Sequence, residues 1–407
     1  MHFKNINIRC WQQFEYIDIS FHDRLTIITG ANGSGKTTIL NLLAEHDNWD
    51  SLKLSTPKKE EETGIINSSY KSNSTNLGQI EYSNNNICNI EMPNSNSVQY
   101  QLHLKKQQQI KCFYIPSHRS IFRYQPLVNI PTAKKNKQMA FKEVNSLSKQ
   151  QYSGGKNHSV SFIMKNTLIG WAINGYGVNN NYKTIMPRDS EQSDFFEGFQ
   201  KVLKEILPDT LGFEEIEIRN MEIVFVCNDG KDEFLLETVS GGITALIDIA
   251  WQIFMFSTKE NAEFTVIIDE IENHLHPIMQ RSILQNLLNA FPGVRFIVST
   301  HSPLVVGSVK DSSIYALVYD NNRKICSKKL DLLGEAKTAS EILDEVLGVS
   351  FTMPIWVEED LKEIISRYSS TAIDKNSMNQ LRKDLSEIGL EKLLPYAIQC
   401  IAEGIDD

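Results

Sequence analysis

Apolar and polar residues alternate at the start of the chain. Ile6 and Ile8, then Ile17, Ile19 and Phe21, recur at every second position, the pattern of half-buried strands. Leu25-Thr26-Ile27-Ile28-Thr29 breaks the alternation. It is a short, nearly continuous apolar run, as expected of a strand buried on both faces. Phe264 to Ile268 and Val294 to Ser299 are runs of the same kind. Alternation returns at Phe213 to Ile218 and Glu222 to Cys227, where Asn228-Asp229-Gly230 predicts a hairpin turn into Glu233 to Glu237. A further hairpin is predicted from Ser313 to Tyr319 and Lys324 to Lys329.

Helical spacing dominates elsewhere. Thr37 to Glu45 follows the third strand as a helix, and Ala245 to Phe256 is an apolar helical segment. Between 160 and 207, Phe195, Phe196, Phe199, Val202, Leu203 and Ile206 fit one helix face, after an earlier group from Phe162 to Ile173. The Gly/Asn-rich loop Asn174 to Asn181 separates the two groups, which read as a helical arm or lid. Thr338 to Leu347 predicts a short amphipathic helix, and Val357 to Ile405 two or three more.

Two stretches have weaker patterns. Residues 51–100 hold nine Asn and nine Ser, which predicts an insertion with a mobile loop near 52 to 75. Short strands are expected at Gly78 to Tyr82, Ile87 to Glu91 and Val98 to Leu104, with turns at Asn84-Asn85-Asn86 and Pro93-Asn94-Ser95-Asn96. Residues 126–160 are polar and Lys-rich without a clear period.

The chemistry sits where these elements meet. Gly30-Ala31-Asn32-Gly33-Ser34-Gly35-Lys36-Thr37-Thr38 directly follows the third strand and opens a helix. This is a complete G-x-x-x-x-G-K-T phosphate loop. Its glycines let backbone N–H groups turn toward phosphates, Lys36 adds a point charge, and the Thr37 hydroxyl suits Mg²⁺. The chain is therefore expected to bind a nucleoside triphosphate. Phe264 to Ile268 ends in Asp269-Glu270. Asp269 is expected in the Mg²⁺ shell and Glu270 as the general base toward water. Val294 to Ser299 runs into Thr300-His301-Ser302-Pro303, which places His301 where it can reach a γ-phosphate. Ser240-Gly241-Gly242 opens the helix from Ala245 with an anion-friendly N-terminus. Ser153-Gly154-Gly155-Lys156 is read as a chance repeat of that tripeptide.

The order phosphate loop, Ser-Gly-Gly, Asp-Glu, His resembles ABC-type ATPase heads. Within them it looks like the SMC, RecF and overcoming-lysogenization-defect branch and not the transporter branch, because Val239 and Ile243 depart from the transporter Leu-Ser-Gly-Gly-Gln. Glu272-Asn273-His274-Leu275-His276-Pro277 is similar to the Leu-His-Pro segment of overcoming-lysogenization-defect-like AAA ATPases. Residues 6–14 and Tyr114-Ile115-Pro116-Ser117-His118-Arg119 also resemble this branch.

The resemblance implies an α/β fold, an ABC/SMC-type P-loop ATPase head with an inserted β/loop segment, a helical arm and a short C-terminal helical tail. The implied parts are 1–50, an N-terminal lobe with the P-loop; 51–110, the insertion; 111–235, the return to the head with basic segment and arm; 236–345, the C-terminal lobe; and 346–407, the tail. It also implies ATP and Mg²⁺ as cofactors and a homodimer, or a higher oligomer of head dimers, closed head-to-tail. Ser240, Gly241 and Gly242 of one subunit would then cap the nucleotide of the other. Arg9, Trp11 or Phe14 would stack on adenine.

The compact size and the missing long coiled coil resemble the ATPase subunits of anti-phage defence systems such as Septu, PARIS and retron-associated systems. These would act on a separate effector, a nuclease, in response to a nucleic-acid or phage-protein trigger. A RecF-like repair ATPase is the alternative. A single-chain ATPase–nuclease ranks lower, because the 62 residues after the head are too few for a Toprim domain.

Composition narrows these readings. The 407 residues, with 41% hydrophobic and 22% charged, describe an ordinary globular chain. No apolar run approaches the roughly 18 residues of a membrane span, and Met1 to Asn5 leads straight into a strand pattern. Six scattered cysteines lack a C-x-x-C pair, which fits a reducing cytoplasm. The net charge of −9 hides a contrast, because residues 101–160 hold eleven Lys/Arg and one acid, Glu143. That stretch is a candidate for nucleic-acid or acidic-partner contact.

Overall fold

The computed structural model describes all residues except 50–52, 57, 60–65, 68–75, 94–97, 153–158, 180–181, 332–354, 370–374 and 404–407. The chain divides into two compact units, Met1–Ala339 and Ser340–Asp407. Much of the loop expected at 52–75, the turn centred on Asn94 to Asn96, Ser153 to Lys156 and the helix at Thr338 to Leu347 lie outside the described residues. No described helix is long and apolar enough to cross a membrane.

An eleven-stranded sheet organises the first unit. Its strands are β1 (Phe3–Trp11), β2 (Phe14–Ser20), β3 (Leu25–Gly30), β4 (Asn76–Tyr82), β5 (Ile87–Glu91), β6 (His103–Lys105), β7 (Cys112–Ile115), β8 (Phe264–Ile268), β9 (Val294–Thr300), β10 (Ser313–Tyr319) and β11 (Ile325–Leu330). Across the sheet they run β6-β5-β4-β1-β2-β11-β10-β3-β9-β8-β7. The five from β10 to β7 are parallel neighbours. Every residue of β3, β7 and β8 is buried, because both faces of a parallel block are covered.

β1 and β2 keep the alternating pattern, with Ile6, Ile8, Ile17 and Ile19 turned into one core. The Asn/Ser-rich segment continues this sheet. β4 pairs antiparallel with β1, and β5 and β6 follow outward. The strand expected at Val98 to Leu104 is two pieces. Gln99–Tyr100 pairs with Lys53–Leu54, and only His103–Lys105 joins the large sheet.

The main helices of this unit are α1 (Lys36–Ala44), α2 (Lys137–Tyr152), α3 (Val160–Tyr176), α4 (Ser190–Ile206), α5 (Gly241–Phe256) and α6 (Pro277–Ala290). α2 occupies the stretch whose sequence shows no clear period. Its buried residues, Ala140, Phe141, Val144 and Leu147, form a narrow stripe diluted by lysines. Lys137 even lies over the Phe254 ring, 3.4 Å from its centroid, so a cation stands where an apolar residue would mark the helix.

The helical arm, α3 and α4, is seated on α5. Trp171 and Phe199 approach Trp251 with ring centroids 5.7 and 4.8 Å apart. Truncating such a buried aromatic costs about 3–5 kcal/mol. A three-stranded sheet, Phe213–Arg219, Glu222–Cys227 and Asp232–Leu235, leads into α5.

The second unit contains the helices Ile355–Ser369, Lys375–Glu387 and Leu394–Glu403. Leu361, Ile364, Leu381, Leu385 and Ala397 form its core.

Candidate nucleotide site

The phosphate loop leaves β3 at Gly30 and enters α1 at Lys36. Gly33 and Gly35 have φ of +78° and +87°, the left-handed region that favours glycine. Gly35 also has no room for a side chain, since a Cβ there would fall 2.5 Å from the Phe14 ring. The β1–β2 hairpin thus supports the loop from below, and Gln13 Nε2 donates to the Gly33 carbonyl at 2.7 Å. This places Phe14 and Trp11 in the core, 1% and 0% exposed, so neither is free to stack on adenine. Of the three residues expected there, only Arg9 is exposed, and it lies over the Tyr16 ring.

Lys36 is 4% exposed and bends back over its own loop. Its Nζ donates to the Gly30 and Ala31 carbonyls at 3.0 and 3.1 Å. Burial pulls its pKa down to about 8, against the raising effect of Asp269, Glu270 and Glu272. Ser34 Oγ is buried and without a hydrogen-bond partner. The first turn of α1 adds N–H groups that a helix cannot satisfy internally. A cradle with a buried cation, an orphaned hydroxyl and a helix N-terminus fits a phosphate chain.

Asp269, 1% exposed, ends β8 beside this loop. Its Oδ2 accepts from Thr37 Oγ1 at 2.8 Å and its Oδ1 from Ser299 Oγ at 2.5 Å. Ser299 Oγ also accepts from the Glu270 N–H at 2.7 Å, so one hydroxyl on β9 holds both acidic residues. Glu270 has φ of +44°, a left-handed conformation uncommon outside glycine. Arg119 clasps this turn, donating to the Asp269 and Glu270 carbonyls at 3.0 Å each.

The Glu270 carboxylate accepts from Asn273 Nδ2 at 2.7 Å through Oε2, and Oε1 lies 3.8 Å from His301 Nε2. His301 Nδ1 is 3.3 Å from Lys36 Nζ. Burial first, then Lys36, lowers the His301 pKa, against the raising effect of Glu272 and Glu270.

The structure therefore brings Lys36, Thr37, Asp269, Glu270 and His301 together, at the C-terminal ends of adjacent parallel strands. Thr37 and Asp269 supply hard oxygen ligands suited to Mg²⁺. Ser240, Gly241 and Gly242 are elsewhere on the surface. Ser240 stands at the N-cap position of α5 without a side-chain capping bond, and a Cβ on Gly242 would meet the His274 carbonyl at 2.9 Å. Among the described residues, no hydrogen bond joins this tripeptide to the phosphate loop.

Sequence reasoning missed Ser299, Asn273, Gln13 and the role of Arg119. Ser299 precedes the Thr-His-Ser-Pro segment, and Asn273 stands three residues after the base. These positions were a signal, but neither residue type announces a role.

The basic stretch also changes meaning. Among the described residues, seven of its ten cations have partners within the chain or are buried. Lys105, Lys134 and Lys135 pair with Glu91, Asp189 and Glu143. Lys149 pairs with Asp47, Lys111 donates to the Glu260 carbonyl, Lys137 to that of Ser257, and Arg119 is buried. Part of the local excess of positive charge in sequence is thus taken up by ion pairs and packing within the chain, with Lys105 and Lys134 still exposed.

Residues 140–307 match the family described as "AAA domain, putative AbiEii toxin, Type IV TA system". Over that stretch the chain is similar to an AAA-type ATPase domain. It is 31% identical over 166 residues to a Septu protein PtuA of Bacillus mycoides (strain KBAB4), covering 40% of this chain and 23% of that protein. It is 30% identical over 202 residues to "Retron Vc95 probable ATPase" of Vibrio cholerae serotype O1 biovar El Tor, covering 47% and 38%. The chain spans between about a quarter and a half of the length of the curated relatives it matches. Among solved structures it is similar to an SMC head domain from Thermotoga maritima, at 15% identity and a TM-score of 0.43, covering 81% of this chain and all of that one. The strand order and the phosphate-loop geometry are those of an α/β P-loop ATPase head.

Proposed function

We propose that this chain is the ATP-binding and hydrolysing switch subunit of a prokaryotic anti-phage defence complex, working in the cytoplasm on a separate effector protein, a nuclease. The observation that carries the enzymatic part is the convergence of Lys36, Thr37, Asp269, Glu270 and His301 through contacts of 2.8 to 3.8 Å. The defence role is supported by similarity to Septu and retron proteins over two-fifths to nearly half of the chain.

The residues divide the work. Lys36 offsets charge on the β- and γ-phosphates. Thr37 and Asp269 would hold Mg²⁺, which supplies further neutralisation of the phosphate oxygens. Glu270 takes a proton from the attacking water. His301, between Lys36 and Glu270, orients groups near the γ-phosphate. Ser240 and Gly242 of a second subunit complete the site, so that ATP closes a head-to-tail dimer and hydrolysis reopens it. Nucleotide state then sets the geometry offered to the effector.

Mixing Ser240→Arg with Lys36→Ala subunits tests the composite site. With Ser240 acting in trans, each mixed dimer has one site carrying both lesions and one carrying neither, so mixing restores ATPase activity. With Ser240 acting in cis, each site keeps one lesion. No recovery, with mixed dimers shown to form, would reject the trans arrangement.

A further inference from the structure

Glu270 lies on a turn that folds back on itself. Its carbonyl accepts from the Asn273 N–H at 3.1 Å, and the next residue, His274, has φ of +69°. This turn brings the Asn273 side chain over the Glu270 carboxylate. One amide nitrogen, Asn273 Nδ2, then donates twice, to Glu270 Oε2 at 2.7 Å and to the Ser117 carbonyl at 3.1 Å.

A carboxylate has two oxygens, and a general base needs one of them free and aimed. The bond from Asn273 occupies Oε2 and fixes the plane of the group. Oε1 is left on the side of His301, 3.8 Å from Nε2. The second bond ties the carboxylate to the segment after β7. β7 itself reaches Asp269 through the Tyr114 hydroxyl, at 3.4 Å, and the segment after it holds the backbone of the acidic pair through Arg119. An amide suits this junction, because each of its two N–H bonds meets a separate acceptor.

We propose that Asn273 is a positioning residue for hydrolysis, which orients the Glu270 carboxylate and anchors it to the Ser117 segment. This rests on the reading of Glu270 as the base.

The experiment compares Asn273→Ala and Asn273→Asp in the full chain, each also placed in a Glu270→Ala background. Asp keeps the shape of Asn but replaces the N–H donor with a carboxylate that repels Glu270, whereas Ala removes the donor without adding charge. Both single variants should lower kcat about 10- to 100-fold, with ATP affinity within about twofold of wild type. With the carboxylate already removed, Asn273→Ala should change the residual rate by less than about twofold, because nothing is left to orient. Turnover of Asn273→Asp close to wild type would show that shape alone matters and overturn the proposal. An equal loss from Asn273→Ala in both backgrounds would also overturn it, in favour of a general structural role. If Glu270→Ala itself turns over like wild type, the base assignment falls first and the positioning role with it. Should Asn273→Ala fail to fold, Asn273→Leu, close to Asn in shape but with neither donor nor charge, replaces it in both backgrounds with the same expected outcomes.

Discussion

Thr37 Oγ1 donates to Asp269 Oδ2 across 2.8 Å, joining the phosphate loop to the acidic end of β8. The two residues are 232 positions apart in the chain. The bond forms because β9 lies between β3 and β8 in the sheet and all three run the same way, so their C-terminal ends open on one edge. Ligands in such sheets bind at that edge.

Asp269→Ala should remove most of the benefit that Mg²⁺ gives to ATP binding. It takes away one hard oxygen and leaves Thr37 and Ser299 without their acceptor. Titration of ATP with and without Mg²⁺ checks this. An unchanged gain in affinity from Mg²⁺ would exclude Asp269 from the metal shell.

Lys36→Ala should weaken ATP binding, because it removes the cation facing the β- and γ-phosphates. The wild-type chain should also bind ATP less tightly as pH rises through 8. The Lys36 pKa of the free chain is about 8, below its ordinary value, so the charged form is lost above that pH. Phosphate binding favours the charged form, and complex formation above pH 8 must then take up a proton. Calorimetry in buffers of different ionisation enthalpy reads that uptake, which should vanish in Lys36→Ala.

Glu270→Gln should keep ATP binding and slow hydrolysis by about 10²- to 10⁴-fold, the usual loss for a general base. The closed dimer should accumulate with ATP, as read by size-exclusion chromatography. Wild-type turnover in this variant would remove Glu270 from the mechanism.

Purified alone, the chain should hydrolyse ATP without cutting nucleic acid. Two-metal nuclease sites need carboxylates converging on ions about 4 Å apart. Among the described residues no group of three or more His, Cys, Asp or Glu side chains is placed to hold a metal. Incubation with plasmid, single-stranded DNA and tRNA, with Mg²⁺ or Mn²⁺ and ATP, is the test. Degradation that disappears in Glu270→Gln would place the effector in this chain.

The sequence by itself determined the chemistry that is written in contiguous residues. Gly30 to Thr38 names a phosphate loop because its glycines, Lys36 and Thr37 must be neighbours to wrap one phosphate chain. Asp269-Glu270 and His301 are legible for a similar reason, since each follows a short apolar strand that can only be buried. What surrounds them was decided by the tertiary structure. Ser299 serves Asp269 from the next strand, Arg119 clasps a turn 150 positions away, and Phe14 fills the space that keeps Gly35 a glycine. Such contacts depend on strand order and on which turn meets which. Local periodicity carries neither. The basic stretch is the converse case, since its charge is plain in the sequence while the acids that neutralise it come from other elements, among them Glu91 and Asp189. Residue spacing specifies a motif when the partners are a few bonds apart, and the sheet specifies it when they are not.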